Sequence, residues 1–218
     1  MCGNTETTRA AAVCDTAAGG TAAAVCTATG GRRIILGSNS PRRKELLAGL
    51  GIPFTVDTGN TFEERFDPSL PHDQVPELMA RGKSHGFHRP LADDEVLITA
   101  DTMVLLDKVI LGKPHDRADA VRMLSLLSGR THEVITGVTI RDARREVSFS
   151  DVTYVTFKEF TPGEIDCYVD RFAPYDKAGA YGIQEWIGYI GTTDMRGSFY
   201  NVMGFPVHRV YAELQGFL

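Results

Sequence analysis

Six consecutive residues, Ser38 to Arg43, combine groups that could hold a phosphate. They follow the apolar run 34–36 and precede leucines at helical spacing. Ser40 is a suitable N-cap and Pro41 suits the first position of a helix, so free amides and guanidinium groups gather at one helix N-terminus. Such a terminus binds anions. An ordinary capped surface helix is the alternative, because Ser-Pro followed by basic residues begins many such helices.

Asp101 is the best acidic candidate for chemistry. It follows the apolar strand 96–100 and precedes Thr102, at the position where open α/β sheets present catalytic side chains. A carboxylate there can hold a divalent cation or take a proton from a water, but it can also cap a turn. Glu63 and Glu64 follow the second predicted strand and could bind a metal, although adjacent glutamates more often form a solvated surface.

Three further residues offer donors to an anionic ligand. Lys113 lies between a glycine and a proline, an arrangement that can aim an ammonium group. Gln184 ends the segment 175–184, whose small residues would let the backbone approach a ligand. Lys83 lies on a predicted helix. Each has a structural alternative: an ordinary turn, close packing or a solvated helix face.

The elements that position these residues alternate between strands and helices from residue 32 onward. The pattern predicts strands at 34–36, 54–56, 96–100, 103–106, 109–111, 132–141, 146–157 and 200–203. It predicts helices from Pro41 to Gly51, over 74–87, from Asp116 to Gly129, over 162–172 and after Pro206. Thr161 and Glu164 form a capping box before the fourth of these. The sequence therefore predicts an α/β fold with an extended mixed sheet.

The composition favours one soluble globular domain with a small anionic ligand. The chain has 218 residues, 43% of them hydrophobic and 23% charged, and a net charge of -5. An acidic protein is not a general binder of nucleic acid or of anionic membranes, so the clustered arginines indicate a local anion site. No apolar run is long enough for a transmembrane helix. The four cysteines lack metal-ligand spacing and indicate a reducing compartment.

Residues 1–31 differ from the rest of the chain. They are rich in alanine and threonine and contain no leucine, isoleucine or aromatic residue, so they cannot build a core. The acidic residues Glu6 and Asp15 argue against a secretory signal, and the single basic residue Arg9 before Arg32 argues against a mitochondrial one; a targeting peptide stays open as the alternative. The sequence predicts a disordered tail over 1–31 and a single domain over 32–218.

Taken in order, seven features resemble one known family. They are LGSNSPRRKELL, FEER, Lys83, ITADTMV, LGKP, LSGRTHEVITGV and DKAGAYGIQ, and they resemble the Maf family of nucleoside triphosphate pyrophosphatases. The resemblance implies a Maf/ITPase-like α/β fold, with a mixed elongated β-sheet flanked by helices and an active-site cleft between two lobes. It also implies a cytoplasmic, homodimeric enzyme that cleaves a nucleoside triphosphate between its α and β phosphates, using Mg²⁺ or Mn²⁺.

The same resemblance implies a role for each matching residue. Asp101 would be the catalytic base and a metal-linked carboxylate, and Glu64 a metal ligand. The substrate contacts would be Ser38, Ser40, Arg42, Arg43, Lys83, Lys113 and Gln184. Glutamine at 184 resembles the subgroup that acts on dTTP and UTP, so a pyrimidine triphosphate is the expected substrate. The bulky Trp186 and Ile187 depart from the glycine expected after this glutamine.

Two other functions stay open at this point. The protein could be a non-catalytic nucleotide-binding regulator of cell division, given the family's association with septum formation. It could also be a phosphatase or kinase that acts on the terminal phosphate. The carboxylates favour the pyrophosphatase over a binder, because carboxylates near a polyphosphate gain little unless a metal lies between them.

Overall fold

The computed structural model describes residues 29–63, 65 and 70–218. Over these residues the chain forms a mixed α/β fold, as the alternation of strands and helices predicts. Most of the predicted tail, residues 1–28, lies outside the described residues, and so does Glu64. The division into a tail and one domain therefore stays a prediction.

The predicted alternation is confirmed for most elements. In the described part of the chain the strands are β1 (Arg33–Leu36), β2 (Phe54–Val56), β3 (Glu95–Leu106), β4 (Val109–Leu111), β5 (Thr131–Arg141), β6 (Glu146–Phe157) and β7 (Thr192–Arg196). The helices are α1 (Pro41–Ala48), α2 (Val75–His85), α3 (Arg117–Leu127), α4 (Pro162–Phe172), α5 (Trp186–Gly191), α6 (Phe199–Val202) and α7 (Val207–Leu214). Short 3-10 turns occupy His72–Gln74 and Ala178–Ala180.

All the described strands belong to one sheet, with the order β2-β1-β3-β5-β6-β7 and with β4 paired to β3. β1 is parallel to β2 and to β3, whereas the remaining pairs are antiparallel. Strands of 11 and 12 residues form the β5–β6 hairpin and make the sheet elongated. The predicted mixed, elongated sheet is confirmed.

β3 has different neighbours along one of its edges. β1 pairs with its first part, as far as Leu36 opposite Ile98. β4 pairs with its last part, beginning where Leu111 lies opposite Val104. No strand of the described chain pairs with residues 99–103 on this edge, and we call this stretch the β3 gap. The other edge of β3 is paired with β5 from Leu97 to Leu105.

Two hydrophobic cores support the sheet around this gap. In one core, Leu47 of α1 and Val210 of α7 pack on β1 and the first half of β3. In the other core, α3 and α4 pack on β4 and the ends of β5 and β6, with Tyr168 of α4 fully buried. β3 contributes to the first core as far as Ala100 and to the second from Val104, which places Asp101 between the two.

Several sequence predictions about these elements are wrong in detail. Asp101 does not end a strand, because β3 continues unbroken to Leu106. Residues 200–203 are not a strand: α6 forms there, and its N-cap Ser198 accepts a hydrogen bond from the backbone amide of Asn201. α1 itself ends at Ala48, but Gly49 keeps helical torsion angles and the chain leaves the helical direction at Gly51, whose φ is +68°, as the sequence predicts.

The capping predictions have mixed outcomes. Ser40 stands at the N-cap of α1, but its hydroxyl makes no capping hydrogen bond. Its backbone amide instead donates to Ser38 Oγ at 3.3 Å, so the loop before the helix is shaped by Ser38. The predicted caps of α3 and α4 are confirmed, since Asp116 accepts from the Asp119 amide and Thr161 forms the capping box with Glu164.

Candidate active site

The residues expected to do chemistry line one cleft, which consists of two adjoining hollows. The first hollow has a volume of about 340 Å³ and the second about 410 Å³. Six residues line both of them: Ser40, Arg42, Arg43, Lys83, Lys113 and Asp176. Asp101 and Gln184 line the first hollow, and Ser38 lines the second. All the predicted site residues that the structure describes therefore meet at this cleft, and Glu64 lies outside the described residues.

The two hollows differ in chemical character. The first has apolar walls, to which Met79 of α2, Ile110 of β4 and Tyr181 contribute. The second is bounded by the loop 37–40 and the first turn of α1, together with polar side chains such as Asn60. A flat group can lie against the apolar wall of the first hollow, whose other walls carry charged side chains, and a charged group that accepts hydrogen bonds suits the second.

Asp101 and Lys83 form an ion pair at the floor of the cleft. Lys83, from α2, donates a hydrogen bond through Nζ to Asp101 Oδ1 at 2.6 Å. Their side chains are 19% and 22% exposed, so both can be reached from the cleft. Asp101 Oδ2 has no hydrogen-bond partner among the described residues. The carboxylate can therefore accept a further proton donor or a cation.

This donor set fits a magnesium-type cation held jointly with a substrate. Mg²⁺ is usually bound through one or two carboxylates plus phosphate oxygens and waters, and not through an all-protein cage. Asp101 supplies one such carboxylate. The described residues contain no group of three or more His, Cys, Asp or Glu side chains that could hold a metal ion.

A chain of alternating charges connects α1 to the loop before α5. Arg42 Nη1 donates to Asp176 Oδ2 at 3.0 Å, and Lys177 Nζ donates to Asp176 Oδ1 at 2.7 Å. Lys177 also pairs with Glu185 at 3.2 Å, and Glu185 accepts a hydrogen bond from Tyr168 at 2.5 Å. Partial burial would raise the pKa of Asp176, but the bond and charge of Lys177 and the charge of Arg42 outweigh it and lower the pKa.

Sequence reasoning did not assign a role to Asp176. The sequence feature that could have indicated a role for Asp176 is its position next to a lysine near the start of the small-residue segment 175–184. The neighbouring Lys177 is 8% exposed and is bound to two carboxylates. Asp176 and Lys177 therefore bring Arg42 and the loop containing Gln184 together across the cleft.

Gln184 lines the first hollow and has an unused acceptor. Its Oε1 atom is buried and has no hydrogen-bond partner in the described part of the chain. A buried amide oxygen without a partner costs free energy, which a ligand donor at this position would recover. Lys113 is exposed beside it, and the Gly179 amide donates to the Gly112 carbonyl at 3.0 Å to hold the two loops together.

His132 supports the apolar wall of the first hollow from behind. Its Nε2 lies 2.8 Å from the hydroxyl of Tyr181, and Phe157 packs against both rings. His132 is 1% exposed, and burial lowers its pKa from 6.5 to about 3. The imidazole therefore stays neutral in the folded protein at ordinary pH.

This buried histidine predicts a loss of stability in acid. In the unfolded chain His132 takes up a proton as the pH falls through about 6.5, whereas the folded chain resists protonation down to a pKa of about 3. Stability from this group is thus complete above pH 6.5, and the free energy of unfolding should fall by about 2 kcal/mol between pH 7 and pH 5. His132→Gln should remove this component. Denaturant unfolding of both proteins at the two pH values measures it, and identical pH dependences would contradict the prediction.

Comparison with known proteins gives a consistent result over most of the chain. The family model described as Maf-like protein matches residues 33–217. The dTTP/UTP pyrophosphatase of Phocaeicola vulgatus is 51% identical over 183 residues, covering 84% of this chain and 95% of the relative. That of Porphyromonas gingivalis is 51% identical over 187 residues, with coverages of 85% and 94%. That of Bacteroides thetaiotaomicron is 47% identical over 183 residues, with coverages of 84% and 95%.

Proposed function

This chain belongs to the Maf family, and we propose that it hydrolyses dTTP and UTP to the nucleoside monophosphate and pyrophosphate. The observation that carries this proposal is the cleft itself. It brings the carboxylate of Asp101 together with Arg42, Lys83 and Lys113, which come from different elements of the chain. A carboxylate surrounded by cations suits the cleavage of a polyanion by water.

In this proposal the basic residues bind and orient the polyphosphate. Ser38, Ser40 and the first turn of α1 offer donors in the second hollow, where the amide groups of a helix N-terminus favour phosphate oxygens. Arg42, Lys83 and Lys113 line both hollows and would neutralise the charge that develops on the leaving pyrophosphate. Arg43 differs from these residues, because its donors are directed at protein oxygens.

Asp101 would orient the attacking water and take its proton. Lys83 holds one carboxylate oxygen at 2.6 Å and so fixes the direction of the other. Asp101, and Glu64 by the family resemblance, would hold Mg²⁺ or Mn²⁺, which when bound polarises the phosphate oxygens. The water attacks the α phosphorus, and the bond to the bridging oxygen breaks so that pyrophosphate leaves.

The preference for a pyrimidine is proposed from Gln184. Its buried Oε1 can accept a hydrogen bond from the N3–H of uracil or thymine. Cytosine carries an acceptor at N3 and would leave the oxygen without a partner. The apolar wall around Tyr181 would cover the flat face of the base.

Product analysis with a panel of triphosphates tests this function. Purified protein with Mg²⁺ or Mn²⁺ should release pyrophosphate and the monophosphate from dTTP and UTP, and should act more slowly on CTP, ATP and GTP. Release of inorganic phosphate would instead indicate attack at the terminal phosphate. Nucleotide binding without any product would overturn the enzyme in favour of a nucleotide-binding regulator.

We also propose that the protein is a cytoplasmic homodimer. In the described residues no helix has the length and hydropathy needed to cross a bilayer. β7 is an edge strand, and the neighbouring helices α5 and α6 expose Tyr189 at 76%, Phe199 at 40% and Tyr200 at 48%. An open edge beside exposed aromatic side chains suits contact with a second copy. Light scattering should give twice the chain mass, and Tyr189→Asp should reduce it; a monomeric mass for the unmodified chain would contradict the dimer.

A further inference from the structure

Arg43 is bound to the protein through most of its guanidinium donors. Nε donates to the Gly204 carbonyl at 2.9 Å, and Nη1 donates to the Ala100 carbonyl at 2.9 Å and to Ser38 Oγ at 3.2 Å. Nη2 donates to Thr102 Oγ1 at 3.0 Å. An arginine side chain has five N–H donors, so four of them are committed to protein oxygens. This differs from the phosphate contact that the family resemblance implies for Arg43.

Two of the four acceptors of Arg43 flank Asp101. Ala100 and Thr102 lie on either side of it within the β3 gap, where no described strand satisfies the backbone on that edge. The guanidinium supplies the hydrogen bond that a neighbouring strand would otherwise donate to the Ala100 carbonyl. It also binds the Thr102 side chain, so the backbone is held immediately before and after Asp101.

The same guanidinium connects the gap to two other parts of the cleft. Thr102 Oγ1 lies 3.0 Å from Thr136 Oγ1, which donates to the Asn201 carbonyl of α6 at 3.1 Å. Ser38 belongs to the loop that shapes the second hollow. Gly204, in the loop before α7, has a φ of 100° and leaves room for the Thr102 hydroxyl and Arg43 Nε. One side chain therefore ties β3, the loop before α1 and the loop before α7.

We propose that Arg43 is a positioning residue that fixes Asp101 and Ser38 relative to each other, and that the neighbouring Arg42 binds the phosphates. Arg42 makes a single described ion pair, with the exposed Asp176, which an incoming phosphate can replace. Arg43 would have to give up several bonds to do the same. The proposal rests on the proposed function in one respect, because it takes Asp101 as the carboxylate that activates water.

The kinetic test compares Arg43→Lys with the matched variant Arg42→Lys. A lysine cannot reproduce the planar fork that reaches both Ala100 and Thr102. We expect Arg43→Lys to lower kcat for dTTP by about a hundredfold with KM changed less than about threefold, because the carboxylate is misaligned. Arg42→Lys should chiefly raise KM, by about tenfold. A KM effect in Arg43→Lys with kcat retained would overturn the proposal.

A second measurement needs no catalytic activity and separates this proposal from the proposed function. Hydrogen–deuterium exchange of a peptide spanning the β3 gap should be faster in Arg43→Lys than in the unmodified protein, and unchanged in Arg42→Lys. Unchanged exchange in Arg43→Lys would overturn the positioning role. If the unmodified protein released no pyrophosphate, the proposed function would fail and the exchange comparison would still decide the role of Arg43.

Added guanidinium ion provides a rescue experiment. In Arg43→Ala the ion can occupy the site that the side chain leaves and donate to the same oxygens. We expect millimolar guanidinium to raise kcat of Arg43→Ala severalfold without restoring Arg42→Ala to the same extent. Thermal unfolding of each variant shows whether it is folded at the assay temperature. If Arg43→Ala is unfolded, the comparison is made with Arg43→Lys instead.

Discussion

Asp101→Asn should lower kcat for dTTP by about a thousandfold while leaving the fold intact. Asparagine has the same shape and can still accept the hydrogen bond from Lys83, which now lies 2.6 Å from Asp101 Oδ1. It cannot take a proton from water and cannot contribute a negative charge to a cation site. Pyrophosphate release measures the loss, and thermal unfolding measures the stability.

Asp176→Asn is the matched control for this variant. Asp176 is a second carboxylate of the same cleft, but it is bound to Arg42 and Lys177 and has no assigned part in the chemical step. Its loss should reduce activity by about tenfold at most, through a less ordered Arg42. If Asp101→Asn lost no more activity than Asp176→Asn, Asp101 would not be the base.

Gly137→Ala should have the largest effect on stability. Gly137 lies opposite Asp101 in the β3–β5 pairing, and a Cβ atom there would clash with the backbone of Pro76 and Glu77 in the first turn of α2. Backbone cannot rotate away as a long side chain can, so α2 must move off the sheet. We expect the free energy of unfolding to fall by about 3 kcal/mol, as for severe overpacking in a core.

The same variant should lose activity in proportion to the shift of α2, because α2 carries Lys83. Gly163→Ala is its control: a Cβ at this position in α4 meets nothing within 4 Å and should be neutral or slightly stabilising. Urea unfolding of the unmodified protein, Gly137→Ala and Gly163→Ala measures the difference in the free energy of unfolding. A Gly137→Ala protein as stable as Gly163→Ala would show that α2 does not depend on this close approach.

Elements specified by local interactions were predictable from the sequence. The capping box at Thr161 and the cap at Asp116 use side chains that bind their own helix, so the pattern alone locates them. Residues 200–203 were not predictable in this way. The side-chain Nδ2 of Asn201 donates to the Val134 carbonyl and to Thr153 Oγ1, and these distant partners hold a short helix where the local pattern favours a strand.

The sequence predicted which residues form the site, but it did not predict which of them bind the ligand and which hold the protein in place. Arg42 and Arg43 are chemically identical neighbours, yet about 100° separates adjacent side chains around a helix and the two guanidinium groups meet different surroundings. Only the fold shows that Arg43 meets Ala100 and Thr102. Likewise, β1 ends at Leu36, and this end determines where the unpaired edge of β3 begins. The sequence of β3 itself does not predict that position.

The pairing of β3 also determines which parts of the cleft can move. β5 binds β3 from Leu97 to Leu105 without interruption, so the strand that carries Asp101 cannot bend at the gap without breaking this ladder. We therefore expect any rearrangement on substrate binding to occur in the walls of the cleft, where the exposed ion pair between Arg42 and Asp176 connects α1 to the loop before α5. Salt screens such an exposed pair, whereas the ladder between β3 and β5 does not depend on ionic strength.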